Sequence, residues 1–302
     1  MTENDYGYSM SIGNKYTIQQ TVQSGSIDGK CRATIMSFLS LAQDLASSHY
    51  GTGGRSIPHL QKEGFTWVVT KQHFEVREYP LWLDCYKAVT WAKKPRGPFC
   101  YRNFAYSYAE DGKYDTVDDA FADQVAKGGS YGQMPAGLSE TADAAAQPFF
   151  TGSSLWMVLD LSTGRPVKMT DELMGSLQFC EDSVPGEEMA KIRDPEEWTF
   201  GHEFTPTNLD IDLNGHVNNL AYDRWILSFL PEKAYAGKLV KAIDMYFIAQ
   251  AMFGDELVCR AAEVEPDVWV HSIIRKADGA EMFRARTEWA PEWEISRPVT
   301  TR

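Results

Sequence analysis

Apolar residues recur along this chain with two periods, and the periods alternate twice. From Ile35 the positions Phe38, Leu39, Ala42, Leu45, Ala46 and then His49 follow the i, i+3, i+4 spacing of one helix face. Gly51, Gly53 and Gly54 predict its end. Shorter apolar segments then predict strands over 66–78, 84–92, 99–108 and 154–161. The succession returns further on. Tyr222, Trp225, Ile226, Phe229 and Leu230 mark one side of a second helix, which Pro231 discourages from continuing. Strands are predicted again at 239–249, 255–264, 267–275 and 281–290, with Asp278-Gly279 a tight-turn signal between the last two.

One long helix followed by antiparallel strands, twice over, predicts the α+β class. The arrangement expected is two tandem hotdog units, each a long helix wrapped by a curved antiparallel sheet. The N-terminal unit is placed at 12–170, with an insertion at 111–152 that includes a short helix over Ala142–Ala146. A linker follows at 171–200, marked by Pro185-Gly186 and many acids, and the C-terminal unit occupies 201–302. A length of 302 residues accommodates two such units.

Composition narrows the class without naming a reaction. The chain is 43% hydrophobic and 24% charged, and no apolar run is long enough to span a membrane. Its start, Met-Thr-Glu-Asn-Asp-Tyr, lacks a secretory pattern, and its five cysteines are scattered, so a cytoplasmic protein with reduced thiols is expected. The net charge of −13 argues against nucleic acid. Segments 111–152 and 181–200 each hold seven acids and two bases, and both are read as solvated acidic loops.

Candidate chemistry is concentrated at 209–225. Asp212, Asn214 and His216 alternate just ahead of the second helix, and in an extended segment alternation would point them to one face. An acid, an amide and an imidazole beside a helix start can activate water and stabilise an oxyanion, as acyl transfer requires. A turn at Asn214-Gly215 is compatible with that role. His216 is the one histidine of six in such company, and an imidazole can serve as a base near neutral pH. Asn218 and Asn219 are candidate helix caps that would fix the oxyanion site. No Gly-x-Ser-x-Gly nucleophile motif is present, and no metal-ligand constellation is seen.

These residues resemble the acyl-acyl carrier protein thioesterases, which are double-hotdog enzymes. The likeness is strongest at Asp212-Leu-Asn-Gly-His-Val-Asn-Asn219, followed by Tyr222, Trp225 and Leu230-Pro231. Weaker landmarks in the first half are Trp67-Val-Val, Tyr79-Pro80, Thr90-Trp91, Arg102-Asn-Phe104, Ser154-Leu-Trp-Met-Val-Leu-Asp160 and Arg165-Pro166. The resemblance implies hydrolysis of fatty acyl-acyl carrier protein, with Asp212, Asn214 and His216 catalytic and no metal or redox cofactor. It also implies a catalytic glutamate on a following strand. Counting back from Gly254-Asp255 puts that position at Gln250, a departure, because an amide can orient water but not take its proton. The base role then falls on His216 or Asp212. An acyl-CoA thioesterase and a non-catalytic acyl binder are the alternative readings.

The first half lacks this motif; Ser26-Ile-Asp-Gly-Lys stands in the corresponding place. That unit is therefore expected to supply the acyl pocket, with Ile35, Met36, Leu39 and Trp67 as candidates and Asn219 as a further substrate contact. An acidic carrier protein would dock on basic surface, and Lys93, Lys94, Arg96 and Arg102 form the densest basic stretch. The expected partner is acyl carrier protein bearing a fatty acyl chain; association as a homodimer is left open.

Overall fold

The computed structural model describes residues 9–12, 14–126 and 147–297. In chain order the first half contains β1 (Ser9–Ile12), β2 (Lys15–Thr21), α1 (Ile35–Thr52), α2 (Ile57–Lys62), β3 (Phe65–Val76), β4 (Cys85–Ala92), β5 (Phe99–Tyr108), α3 (Val117–Ala126), β6 (Phe150–Asp160), β7 (Pro166–Val167) and α4 (Asp171–Met174). The second contains β8 (Phe200–Phe204), α5 (Asn219–Ser228), α6 (Glu232–Tyr235), β9 (Lys238–Phe247), β10 (Leu257–Glu265), β11 (Val268–Arg275), β12 (Glu281–Pro291) and α7 (Glu292–Ile295). The Ala142–Ala146 helix expected in the insertion lies outside the described residues. The described part of that segment includes α3, which the apolar pattern did not announce.

The strands form one antiparallel sheet in the order β1-β2-β4-β5-β6-β3-β9-β12-β11-β10-β8, with β7 on β6. Read outward from the β3–β9 seam, both halves repeat one topology. The strand after the long helix lies at the seam, the last long strand is next, and the strands before the helix are farthest out, β2 then β1 in one half and β8 in the other. The chain is thus α+β, with two helix-and-sheet units sharing a continuous sheet and one apolar core. Phe38, Leu39 and Leu45 of α1 belong to the same buried cluster as Tyr222, Trp225 and Ile226 of α5. Aromatic rings fill it, with Tyr106 stacked on Phe150 at 4.6 Å and Tyr222 on Phe283 at 5.3 Å.

Alternation decides which side of each strand meets the helices. On β5, Cys100, Arg102, Phe104 and Tyr106 share the inner face, where Tyr106 donates to the Phe38 carbonyl of α1. Asn103 faces outward and donates to the carbonyl of Asp182. That bond belongs to a strap over 178–199, which runs along the outer face from β4 to β10. Trp91 donates to the Asp182 carbonyl, Lys93 pairs with Glu187 at 2.5 Å, Arg284 pairs with Asp194 at 2.7 Å, and Thr199 donates to Ala261. Reading 181–200 as a solvated acidic loop is therefore corrected in part: Asp182, Glu187 and Asp194 are matched to bases on the sheet edge and face.

The seam carries a buried charge pair. His73 and Asp244 are direct cross-strand partners, with Nδ1 2.6 Å from the Asp244 carboxylate, while Nε2 lies 3.2 Å from Glu75. Burial opposes the imidazolium, but its hydrogen bonds and the charges of Asp244 and Glu75 outweigh that, raising its pKa to about 9. The strap seals the ring. Gly186, at φ +72°, lies so close that an added Cβ would sit 2.1 Å from the His73 ring.

A folded-state pKa above the ordinary value means that this stabilisation is complete below pH 6.5 and is lost as pH rises through about 9. Replacing His73 with Gln should lower stability at neutral pH by about 3 kcal/mol, since it leaves Asp244 buried without its main partner. The gap between wild type and variant in urea unfolding should narrow between pH 6.5 and about 9; a gap that stays constant over that interval would refute the charge-pair account.

Candidate active site

The catalytic candidates are gathered by a turn rather than by an extended segment, which corrects the alternation reading. Asp212 and His216 close a hairpin: the Asp212 amide donates to the His216 carbonyl at 2.8 Å, Gly215 donates back to the Asp212 carbonyl at 3.0 Å, and Ile211 bridges Val217. Gly215 sits at φ +76°, where a residue lacking Cβ is favoured. The Asp212 carboxylate holds the turn from inside. Its Oδ1 accepts from the amides of Asn214 at 2.8 Å and His216 at 3.4 Å, and its Oδ2 accepts from Asn214 Nδ2 at 3.0 Å. Asp212 therefore positions His216 through the backbone. The half-buried imidazole has no hydrogen-bond partner among the described residues.

Asn214 is fixed at both ends. While its Nδ2 donates to Asp212, its Oδ1 accepts from Gln61 of α2, a contact across the two halves. One Nδ2–H remains for another acceptor. Asn218 caps α5, accepting from Leu220 N at 3.0 Å; Asn219 is the first helical residue and is half-buried. The helix start, with its positive dipole end, adjoins the turn.

Gln250 is exposed in the connection between β9 and β10. Its neighbour Ala251 accepts from Val217 N at 3.0 Å and donates to the Tyr222 hydroxyl at 2.9 Å, while Met252 bridges His216. This ladder holds the Gln250 backbone beside the turn and α5. The amide side chain makes no hydrogen bond with the described residues. Asp255 secures the connection by accepting from Met252 N.

The first half contains the same turn with different chemistry. Asp28 Oδ1 accepts from the amides of Lys30 and Arg32, Cys31 takes positive φ, and Ala33 donates to Pro80 as Val217 does to Ala251. Arg32 thus occupies the place of His216, and it is closed off by ion pairs to Asp28 at 2.7 Å and Glu292 at 2.8 Å.

An apolar pocket of about 450 Å³, including its open mouth, lies against the far end of α1. Ala46, Ser47 and Tyr50 of α1, Ile57 of α2, Trp67 of β3, Cys100 and Arg102 of β5, Trp156 of β6 and Met174 of α4 line it. Of the proposed acyl contacts only Trp67 is there. Ile35 and Leu39 are buried in the core shared with α5, and Met36 packs against that core; side chains spent on helix packing are not free to line a pocket. The basic patch is also revised. Lys94 and Arg96 are exposed, but Lys93 is held by Glu187 and Arg102 is 7% exposed on the pocket wall, beyond reach of a docking protein.

Arg102 donates through Nη1 to His49 Nδ1 at 2.9 Å and to Thr90 Oγ1 at 3.3 Å. Burial lowers its pKa to about 10, which leaves it cationic at neutral pH. Burial, with help from the Arg102 charge, pushes His49 down to about 3, so this imidazole is neutral and accepts. Gln61 and Ile57 were not named as site residues, and Arg102 was assigned to the docking surface rather than to the pocket. Parity could have found Arg102, since it alternates in step with Cys100, Phe104 and Tyr106.

Comparison with known proteins gives one answer. Residues 13–118 match the acyl-ACP thioesterase N-terminal domain family, and residues 193–291 match the C-terminal domain family. A chloroplastic palmitoyl-acyl carrier protein thioesterase from Arabidopsis thaliana is 25% identical over 93% of this chain, which spans 64% of that relative's length. The chloroplastic oleoyl-acyl carrier protein thioesterase 2 of the same plant is 22% identical over 94% of this chain and 79% of its own. Among solved structures, the 12:0-ACP thioesterase from Umbellularia californica superposes with a TM-score of 0.75 at 18% identity, covering 93% of this chain and 99% of that one. An acyl-ACP thioesterase from Bacteroides thetaiotaomicron gives 0.71 at 22% identity, covering 92% and 98%. These two structures share its double-hotdog fold. With both domain families matched in order along its length, the chain belongs to the acyl-ACP thioesterase family.

Proposed function

We propose that this chain hydrolyses the thioester joining a fatty acyl group to acyl carrier protein, releasing free fatty acid. The observation that carries the reading is the Asp212–His216 turn, which leaves an imidazole without a hydrogen-bond partner among the described residues, beside an amide whose one remaining N–H is available to a carbonyl. In this mechanism Asn214 Nδ2 holds the thioester carbonyl and His216 takes a proton from the attacking water. The α5 start favours the oxyanion, and the tetrahedral intermediate expels the carrier's thiolate, which takes from His216 the proton that the water gave up. Gln250 helps orient the water and takes no proton. Both Asp212 oxygens are engaged by N–H donors, which disfavours them as nucleophiles and favours direct attack by water over an acyl-enzyme anhydride.

The acyl chain enters the pocket lined by Trp67 and Tyr50. Exposed Leu213 and Phe253 beside the turn offer apolar contact to the carrier's prosthetic arm, and Lys94 and Arg96 are the surviving candidates for the acidic carrier itself. None of the described helices is long and apolar enough to cross a membrane. A cytoplasmic site of action is part of this reading, on the strength of five cysteines that form no disulfide among the described residues.

Three outcomes are expected. His216→Ala should lower kcat/KM for acyl-acyl carrier protein by about 10²- to 10⁴-fold, and Gln250→Ala by no more than about tenfold, the value of one water-orienting hydrogen bond. Steady-state assays that reverse this order would transfer the base role to position 250. In labelled water, a single turnover should put the oxygen label into the released acid and none into Asp212, as read by peptide mass spectrometry. The same acyl group should be cleaved faster from carrier protein than from CoA; equal rates would remove the carrier from the proposal.

A further inference from the structure

The pocket against α1 is mostly apolar, and one of its lining residues is charged. Arg102 sits on the wall with Tyr50, Trp67 and Trp156, 7% exposed. Its two hydrogen bonds both leave from Nη1, to a neutral imidazole and a hydroxyl. A guanidinium has five N–H donors, so those on Nε and Nη2 are unused by the described residues. They are not among the side-chain atoms sealed away from open space, and no acidic residue forms an ion pair with this arginine among the described residues. Burying a charge without a counter-charge is costly, and buried donors normally find an acceptor. A purely hydrocarbon chain in this pocket would supply none.

Helix α2 joins the pocket wall to the turn at Asp212–His216. Ile57 lines it, and Gln61, one turn later on the same side of α2, bonds to Asn214. Residues at that spacing are about 6 Å apart, so the pocket wall and the contact to Asn214 lie one helical turn apart on α2.

Resting on the thioesterase reading, we infer that the acyl group this pocket is built for carries an oxygen acceptor on its distal part, a carboxylate by preference, which the free N–H groups of Arg102 receive. A carboxylate matches a guanidinium in charge and in its two-pronged geometry, while Trp67, Trp156 and Tyr50 cover the methylenes between. The same chemistry could arrive as the carboxylate of a released fatty acid. The probes separate the two sources.

The test is binding of two uncleavable pantetheine thioethers to the full chain by calorimetry, one with an octyl group and one with an octyl-length chain ending in a carboxylate, alongside free octanoate. The carboxylated thioether should bind at least tenfold more tightly than the alkyl one. Arg102→Met should erase that preference, and Arg102→Lys should keep part of it. Equal binding of the two thioethers to wild type, or tighter binding of the alkyl form, overturns the inference without requiring any variant to fold. Octanoate bound through Arg102, with no preference between thioethers, would make this a product site and equally overturns it. Thioethers cannot be hydrolysed, so the result is independent of catalysis: tight carboxylate binding with no cleavage of any thioester would sink the hydrolase reading and leave the pocket assignment standing.

Discussion

The pairing of β3 with β9 is the constraint on which the rest depends. Each half has a sheet that curves around one helix, and each sheet alone would expose an edge strand at this position. Joined at the seam, the two edges satisfy each other, and α1 and α5 bury their apolar faces in one core. The junction also brings the halves into chemical contact. Gln61 comes from the first half and Asn214 from the second, yet the former fixes the orientation of the latter. The strap over 178–199 spans the same junction on the outer face, with Trp91 and Asn103 bonded to it on one side and Tyr246 and Arg284 on the other.

Repetition of the turn before each long helix shows how one backbone device supports two kinds of chemistry. In both halves an aspartate gathers the amides two and four residues ahead, and a positive-φ residue completes the bend. What differs is the last side chain. Arg32 is locked between two carboxylates and contributes to joining the first half to Glu292 near the end of the second. His216 has no such partners among the described residues, so none of them occupies its ring nitrogens. A single candidate catalytic turn among the described residues of a duplicated fold is the consequence, with the other unit released to shape a pocket.

The long strands and both long helices were legible because each buries one face and leaves a clean period. Elements without such a face were not. β8 is largely exposed along its five residues, and β2 buries only Tyr16 and Thr21, so neither shows alternation strong enough to read, although each is the last strand before its half's long helix. The candidate residues of the turn stood out by type, but the device that assembles them did not: spacing by two fits both a strand and a bend, and only the Asp212 hydrogen bonds decide. Arg102 illustrates the opposite failure. Reading it with Lys93, Lys94 and Arg96 as a basic run ignored the hairpin between them, which carries Arg102 onto the inner face of β5. The acyl candidates at the start of α1 were misplaced for a related reason, since helical periodicity gives the buried face and is silent on which part of it meets another helix.

Two histidines then set opposing demands on the protonation of the fold. His73 at the seam keeps its proton because two carboxylates surround it, so its contribution is complete in acid and fades as pH rises from 6.5 through about 9. His49 is held neutral by burial and by the cation it supports, so folding costs more as pH falls from 6.5 toward about 3, where the unfolded chain takes up a proton that the folded one refuses. The seam and the pocket wall are therefore jointly satisfied only around neutral pH. The pocket's requirement is also the functional one: a protonated His49 could no longer accept from Arg102 Nη1, and the guanidinium would lose the partner that holds it on the pocket wall.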